Sequence, residues 1–567
     1  MKLRPAGWSA VTSRLLSRAF ALEGLPPATR DVSIRRDVAV PMDDGVILLA
    51  DHYAPRPLRL GQDAPPVVLI RSPYGRGGVL AAIYGRVIAE RGFQVFLQSC
   101  RGTGGSGGAF VPQANEQRDG VATVRWLREQ PWCDGTIATA GMSYLGYTQY
   151  ATATAPGSDI AAMALSVTMA DLGEPTFATG SFTLSGSLGW ARMMSLRSRR
   201  GGALRLAARR GELDQALEAL PLATGDRAAS GRTIGWYQDW LANPSPETDY
   251  WRQQSHRDAL ADLTAPASML TGWHDLFLPW MLRDYAVLVA AGNAPELTIG
   301  PWSHSSIGHG RAIPATTITF LREQLLGDPP SRAQPVRIFL TGDGGGWLDL
   351  PAWPPPTSEK HWQLSGSGLL RADARRVVAP GDRACFTFDP ADPTPSIAGP
   401  TLTARQPVVD NAEHEQRGDV LTYTSAALAD AIEIAGSVVV QLEVDADNGH
   451  HDVFARLCDV DEQGRSWNVC DRLTRLTPEF PAPGVDGHRT VRLELWPSAH
   501  RFAPGHRLRL QVSGGAHPRY ARNLGTGEPL AIGTAMRSAT VTVHHRSSCL
   551  SLPVTDPGLV IRAPGPS

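Results

Sequence analysis

The chain is almost devoid of lysine: Lys2 and Lys360 are its only two, so nearly all of its 54 basic residues are arginines. With abundant alanine and proline, this usage reflects a GC-rich coding genome and carries no chemistry of its own. Neither sign of charge is in excess, since 54 Lys and Arg stand against 55 Asp and Glu for a formal net charge of -1. No whole-chain field exists to draw in nucleic acid or an anionic membrane face. Cysteine is scarce: Cys100, Cys133, Cys385, Cys458, Cys470 and Cys549 are spread over 567 residues without a C-x-x-C pair. With no histidine spacing of the zinc type, this argues against a disulfide scaffold or a structural metal. No apolar run approaches the roughly 18 residues of a membrane span. Arg14 and Arg18 interrupt the N-terminal stretch where a signal peptide needs an apolar core. The expectation is a cytoplasmic protein, with Trp8 to Leu22 forming an amphipathic helix docked on its own domain.

What is present is an ordinary globular composition, 42% hydrophobic and 19% charged, with room for three or four domains at roughly 150 residues each. Alternating runs from Val32 to Ala50 flank Asp43-Asp44-Gly45, the turn chemistry of a β-hairpin. Apolar strands then alternate with helical stretches: Val67 to Ile70, a helix near Val79 to Glu90, Val95 to Leu97, a helix near Glu116 to Arg128, Ile137 to Ala140, and Ala161 to Val167. This rhythm predicts a mostly parallel sheet. It lapses from Met169 to Asp262, where Ala, Leu, Arg and the tryptophans Trp190, Trp236, Trp240 and Trp251 predict an inserted helical cap. The basic segment Arg192 to Arg210 within it reads as a solvated helix face rather than a nucleic-acid patch. Strands at Ala267 to Thr271 and Glu296 to Gly300 resume the sheet. After the Pro-rich segment Leu350 to Pro356 the period changes to two, as in Val438, Val440, Leu442 and Val444, which predicts an all-β domain of jelly-roll type. The expected division is an α/β domain over 1–168 and 263–349, a cap over 169–262 and a β-sandwich over 357–567.

Two glycine motifs compete for the chemistry. In Arg101 to Gly108, residues Gly102, Gly104 and Gly107 match G-x-G-x-x-G, and Ser106 matches G-x-S-x-G. A dinucleotide site needs a helix to open there, yet helical text begins only near Glu116, so a flexible turn is expected instead. Gly141-Met142-Ser143-Tyr144-Leu145-Gly146 lies between a strand and a helix, the context of a nucleophile elbow, with its second glycine one residue later than usual. A serine hydroxyl needs a base and an orienting acid, in the order Ser, acid, His. Asp275 and His304 follow the two strands beyond the cap, at the carboxyl ends where open α/β sheets bind ligands. Among other histidines, His274 neighbours Asp275 and would point away from it in an extended chain. His309 has no supporting context, and His450-His451 lacks a third ligand for a metal.

Taken together, Arg71-Ser72-Pro73-Tyr74-Gly75, the Arg101 to Gly108 turn, Trp132-Cys133-Asp134-Gly135, Gly141-x-Ser143-Tyr144-x-Gly146, Gly272-Trp273-x-Asp275 and Gly300-Pro301-Trp302-Ser303-His304 resemble the cocaine esterase and X-Pro dipeptidyl-peptidase-like family of serine hydrolases. Gly505-His506-Arg507-Leu508-Arg509-Leu510 and Ser551-Leu552-Pro553-Val554 extend the resemblance into the last domain. The resemblance implies an α/β hydrolase with a helical cap and a C-terminal jelly-roll-like domain. It also implies a triad of Ser143, Asp275 and His304, and an oxyanion hole from the Tyr144 N–H and the Tyr74 hydroxyl. Phe277 matches an aromatic that lines the acyl pocket.

The expected activity is cleavage of a small-molecule carboxylic ester through an acyl-enzyme, with no cofactor and no metal. Self-association is left open. X-Pro dipeptidyl-peptidase or amide and β-lactam acylase activity on the same triad is the alternative. A ligand-binding protein with an inactive hydrolase domain is a more distant one, and a nicotinamide-dependent oxidoreductase rests only on Gly102, Gly104 and Gly107. Leu276-Phe277-Leu278-Pro279 after Asp275 lacks the acidic residues with which amino-acid ester hydrolases hold a free amine, which favours a neutral acyl group. Glu174, Glu212 and Asp214 of the cap remain candidates for an amine site.

Overall fold

The computed structural model describes residues 24–56, 64–197, 210–372, 382–402, 406–484, 487–556 and 561–562. The helix expected over Trp8 to Leu22 lies outside them. The first strands among the described residues form an antiparallel hairpin, β1 (Val32–Pro41) and β2 (Ile47–Pro55), closed at the Asp43-Asp44-Gly45 turn, where the Gly45 N–H donates to the Met42 carbonyl at 2.9 Å. β3 (Val67–Ser72), β4 (Gln94–Ser99), β5 (Ile137–Met142), β6 (Ala162–Ser166), β7 (Ala267–His274), β8 (Glu296–Ser303) and β9 (Val336–Leu340) then build a parallel sheet. β10 (Gly346–Leu350) and the short strand Ile561–Arg562 complete it in antiparallel fashion. The spatial order is β1-β2-β4-β3-β5-β6-β7-β8-β9-β10. Direction of progress reverses between β3 and β5, which makes their carboxyl ends the crevice where such sheets bind ligands.

β3, β4 and β7 are buried along their whole length. That is why they read as continuous apolar runs and not as alternating ones. Helix Glu116–Arg128 packs on helix Tyr144–Ala153, and the long helix Ile307–Leu325 contributes Ile313, Ile318, Phe320 and Leu321 to the core on one face.

Between β6 and β7 the chain leaves the sheet and forms a layer of short helices, among them Leu184–Arg197, Arg210–Leu217 and Gly235–Ala242. Its tryptophans form its own core: Trp190 stacks on Trp240 at 5.9 Å, and Trp236 and Trp251 lie 4.9 and 5.8 Å from Trp240. Of the basic segment Arg192 to Arg210, Arg192 is buried and donates to the Ala229 carbonyl at 3.0 Å, which removes it from the solvated face expected for it. Residues 198–209 lie outside the described residues.

The C-terminal region is all β, as the period of two predicts. Its hub is the long strand Ala539–Thr555, which pairs with Thr357–Ser365, Arg383–Phe388, Ile432–Gly436 and Val439–Ala446 and so draws twelve strands into one curved, nearly closed sheet. Alternation is strict where one face is wet: Val440, Leu442 and Val444 are fully buried while Gln441 and Glu443 are not. No helix among the described residues is long and apolar enough to cross a membrane.

The Arg101 to Gly108 segment is no flexible turn. Arg101 donates to Asp119 at 2.6 Å and to Asp44 at 2.8 Å, and Ser106 donates to the Ser99 carbonyl at 2.9 Å while accepting from the Leu49 N–H at 2.9 Å. Gly102 has φ +70°, and a Cβ there would stand 2.2 Å from the Phe110 nitrogen. The glycines serve a folded clasp between β4 and the hairpin, which accounts for the motif without a nucleotide. Gly102→Ala is expected to cost about 2 kcal/mol or more and to lower the thermal midpoint by several degrees. An unchanged melting curve would show that the clasp is loose.

Candidate active site

β5 ends at Met142 and helix Tyr144–Ala153 begins two residues later, leaving Ser143 at φ 57°, ψ -125°. Such a conformation costs an L-residue of order 1–3 kcal/mol. Its neighbours hold it there. The Ser143 N–H donates to the Ser166 carbonyl at 2.9 Å and the Thr168 hydroxyl donates to the Ser143 carbonyl at 2.8 Å. The glycines let the strand and helix close up: a Cβ on Gly141 would lie 2.4 Å from the Leu145 Cβ, and one on Gly146 would lie 2.4 Å from Thr168. The second glycine therefore falls at 146 because the helix meets the loop after β6 there, whereas Leu145 points into the core.

Asp275 and His304 arrive from the carboxyl ends of β7 and β8. His304 Nδ1 lies 2.7 Å from Asp275 Oδ2, and His304 Nε2 lies 3.0 Å from Ser143 Oγ. Asp275 is fully buried, and its Oδ1 accepts the Phe277 N–H at 2.8 Å. Both strand ends depend on glycine. A Cβ on Gly272 would meet the Trp302 carbonyl oxygen at 2.3 Å, and one on Gly300 would meet the Trp302 ring at 2.4 Å. Trp302 folds over both strands and sets the loop that carries His304. The arrangement offers a hydroxyl whose proton an imidazole can take, with the imidazole held in one tautomer by a carboxylate.

Tyr74 follows β3, the strand beside β5. The Trp190 indole donates to its hydroxyl at 3.1 Å, and Tyr74 lines the same cavity as Ser143. Indole N–H is a donor only, so the Tyr74 oxygen is the acceptor in that bond and its own proton is free to face the serine. Burial raises the Tyr74 pKa above the ordinary phenol value, which keeps that proton in place. The Tyr144 N–H is the first of its helix and has no partner within it. The Tyr144 side chain turns the other way: its hydroxyl donates to Glu116 Oε1 at 2.9 Å and accepts from the Gln113 N–H at 2.7 Å. Glu116 is in turn paired with Arg71 at 2.9 Å, both nearly free of solvent.

Above Ser143 lies a cavity of about 840 Å³ of empty space including its mouth. Its walls come from three distant parts of the chain: Phe277 and Trp280 after β7, Trp190 and Trp240 of the cap, and Leu402, Trp496 and Tyr520 of the β region. The Phe277 ring stands edge-on to His304 at 5.4 Å. Among the described residues Arg519 is the single charged residue of the wall, and it is spent on Asp471 at 2.5 Å. Although burial opposes ionisation of Asp471, Arg519 and Arg456 hold its carboxyl below the ordinary range. No carboxylate lines the cavity among the described residues. Glu174 is bound to Arg257 and Arg283, and neither Glu212 nor Asp214 reaches the cavity wall.

Family models match both halves of the chain: X-Pro dipeptidyl-peptidase (S15 family) over residues 44–306, and the X-Pro dipeptidyl-peptidase C-terminal non-catalytic domain over 331–551. The cocaine esterase of Rhodococcus sp. (strain MB1 Bresler) is 31% identical over 546 residues, covering 88% of this chain and 94% of that protein. The chain belongs to this family of serine hydrolases. Solved structures share the fold: an aminopeptidase from a marine sediment Thaumarchaeota archaeon at TM-score 0.78 and 22% identity, and an α-amino acid ester hydrolase at TM-score 0.77 and 23% identity. Each match covers 93% of this chain and 97% of the other.

Within this family frame the remaining candidates fall away from the serine. His274 points to the opposite side from Asp275 and lines a separate cleft with His500 and Asp459. His451 Nδ1 bonds to the Asn448 carbonyl at 2.8 Å, and Asp452 binds Arg475 at 2.9 Å. Sequence reasoning did not find Trp190, Thr168 or the walls at Leu402, Trp496 and Tyr520. The only signal was the unusual density of tryptophan in the cap.

Burial lowers His274 and His309, near the loops that carry Asp275 and His304, to about 4. Between that value and the ordinary 6.5 the unfolded chain takes up protons that the folded one refuses, so stability rises with pH across this window. Each histidine is expected to contribute roughly 3 kcal/mol above pH 6.5 that is lost as pH falls toward 4. Denaturant midpoints at pH 7 and pH 5 check this: His309→Asn should flatten the difference, and equal slopes in both proteins would refute it.

Proposed function

We propose that this chain hydrolyses carboxylic esters with uncharged, apolar acyl groups, and that Ser143, His304 and Asp275 form its catalytic triad. The observation that carries the reading is the Ser143–His304–Asp275 relay, with contacts of 3.0 and 2.7 Å, at the floor of an aromatic cavity whose described wall holds no unpaired charge. Ser143 Oγ attacks the acyl carbon as His304 Nε2 takes its proton. The tetrahedral oxyanion sits between the Tyr144 N–H and the Tyr74 hydroxyl, two donors already oriented before the charge develops. His304 then returns the proton to the departing alcohol, leaving an acyl-serine. A water activated by the same imidazole hydrolyses it. Phe277 and the tryptophans of the wall supply the acyl pocket. Side chains and water complete the cycle.

The cocaine esterase supports an ester substrate by likeness, and the family description supports a peptidase that accepts proline second. A dipeptidyl-peptidase needs a negative group for the substrate amine, and the three cap carboxylates considered for that task are paired or remote. Amides of the same acyl groups fit the same cavity, and an ester is favoured over them because an alkoxide leaves more readily than an amide anion. All six cysteines are unpaired, which favours the reducing cytoplasm as the place of action.

Ser143→Ala is expected to abolish the fluorophosphonate adduct seen by intact mass in the wild type and to lower kcat for p-nitrophenyl butyrate by at least about 10⁴-fold. Turnover undiminished by the change would refute the triad. Tyr74→Phe should lower kcat about 10²-fold. Trp190→Phe should lower kcat about tenfold for an acetate ester, at little change in KM, by releasing the Tyr74 hydroxyl to other orientations. If so, Trp190→Phe costs almost nothing further in the Tyr74→Phe background; additive losses would assign Trp190 to packing alone.

A further inference from the structure

On the wet face of the β region, three strands bring together four side chains that the triad does not use. Glu443 and Asp445 lie on Val439–Ala446, two residues apart and on the face opposite buried Leu442 and Val444. His544 lies on Ala539–Thr555, directly opposite Glu443 in the pairing register. His488 immediately precedes Arg489–Glu494, the strand on the other side. The two imidazoles stack at 3.9 Å with 20° between their planes. His544 Nε2 bonds to Asp445 Oδ2, His488 Nε2 lies 3.9 Å from the same oxygen, and His488 Nδ1 lies 3.6 Å from Glu443 Oε1.

We propose that Asp445, His488 and His544, with Glu443 beside them, bind a transition-metal dication of the zinc class. One ligand atom from each of the first three lies within 4.8 Å of the others. Metal–ligand bonds near 2.1 Å place ligand atoms about 3.5 Å apart, a closure that side-chain rotation supplies. Two imidazoles and a carboxylate are the donor set that zinc and its neighbours take, while calcium and magnesium prefer oxygen alone. Charge points the same way: two carboxylates stand side by side, and among the described residues no arginine or lysine pairs with either. The ligands are partly exposed, His488 at 30% and His544 at 15%, so an ion enters directly from solvent. On binding, the metal replaces the hydrogen bond between His544 and Asp445.

The site escapes the spacing argument that led the sequence to be read as metal-free. Asp445 and His544 are 99 residues apart, and only strand pairing makes them neighbours. None of the four residues lines the catalytic cavity, so the metal clips three strands together and takes no part in ester cleavage.

The test uses the full chain without an affinity tag, stripped with chelator, at pH 7.5. Titration calorimetry with Zn²⁺ is expected to show a single equivalent bound, Co²⁺ to give the visible bands of a tetrahedral site, and saturating Zn²⁺ to raise the melting midpoint by about 3 °C. His488→Asn/His544→Asn should lose the cobalt bands and the zinc-induced shift, with affinity falling by at least about 100-fold. Its circular dichroism and its turnover of p-nitrophenyl butyrate should match the wild type. Equal zinc stoichiometry and equal shift in the double variant would overturn the assignment, as would no binding by the wild type at about 1 mM Zn²⁺.

Discussion

The catalytic cleft hangs on a backbone conformation that an L-amino acid avoids. Ser143 is held at φ 57° because everything around it is more stable with it there. β5 is locked in a parallel sheet on both sides, the helix after it must begin at once, and the Thr168 hydroxyl and Ser166 carbonyl take up the Ser143 backbone groups. Strain of order 1–3 kcal/mol is small beside the burial of β5, β6 and the helix. The hydroxyl is thereby lifted off the sheet at the point where strand order reverses, and the first N–H of the helix faces the same space. Relaxing the serine would mean separating the strand from the helix.

Charge around that turn is paired before substrate arrives. Arg71 and Glu116 satisfy each other and fix the Tyr144 phenol. Arg519, Asp471 and Arg456 form a closed set under the far wall, and Arg519 lies 5.0 Å over the Trp496 ring. Buried ion pairs of this kind contribute little net stability, yet removing one partner costs about 3–5 kcal/mol. They keep the site rigid, while Arg197, 5.6 Å over the Tyr74 ring, adds a positive charge beside it. In such a cavity, with few competing dipoles, the Tyr74 hydroxyl and the Tyr144 N–H are the donors that we propose a developing oxyanion meets. Each is worth more there than in water.

The parallel sheet, the helical insertion and the β region were legible in the sequence wherever a local pattern mirrored a structural period. Apolar runs marked strands buried on both faces, alternation marked the half-wet strands, and the pairing of Gly141 with Gly146 marked the close approach of strand and helix. The residues of the relay were legible because each follows a strand end with its own glycine signature. What stayed hidden has no local pattern. Trp190 looks like any cap tryptophan until its indole is seen on Tyr74. Arg192 looks solvated until its helix is packed. The glycines of Arg101 to Gly108 look mobile until Arg101 is seen gripping Asp44 and Asp119. In each case the deciding contact joins residues far apart in the chain, and periodicity carries no information about such contacts.

The same division governs how this architecture can change substrate. The relay and its donors sit on strand ends fixed by close glycine contacts, where a single added methyl group would collide with backbone or ring. The acyl cavity is instead closed by side chains from the cap, from the segment after β7 and from the β region. They meet through aromatic edges such as Trp280 on Trp496, 5.8 Å apart. A substitution at Trp240, Leu402 or Trp496 reshapes the cavity without touching the strained turn, because these three lie on segments that do not continue into it, unlike Tyr144 and Phe277. Phe277 and Trp190 join wall and site, whereas Trp240, Leu402 and Trp496 belong to the wall alone, and changes confined to those positions alter the acyl cavity with the strand ends left as they are.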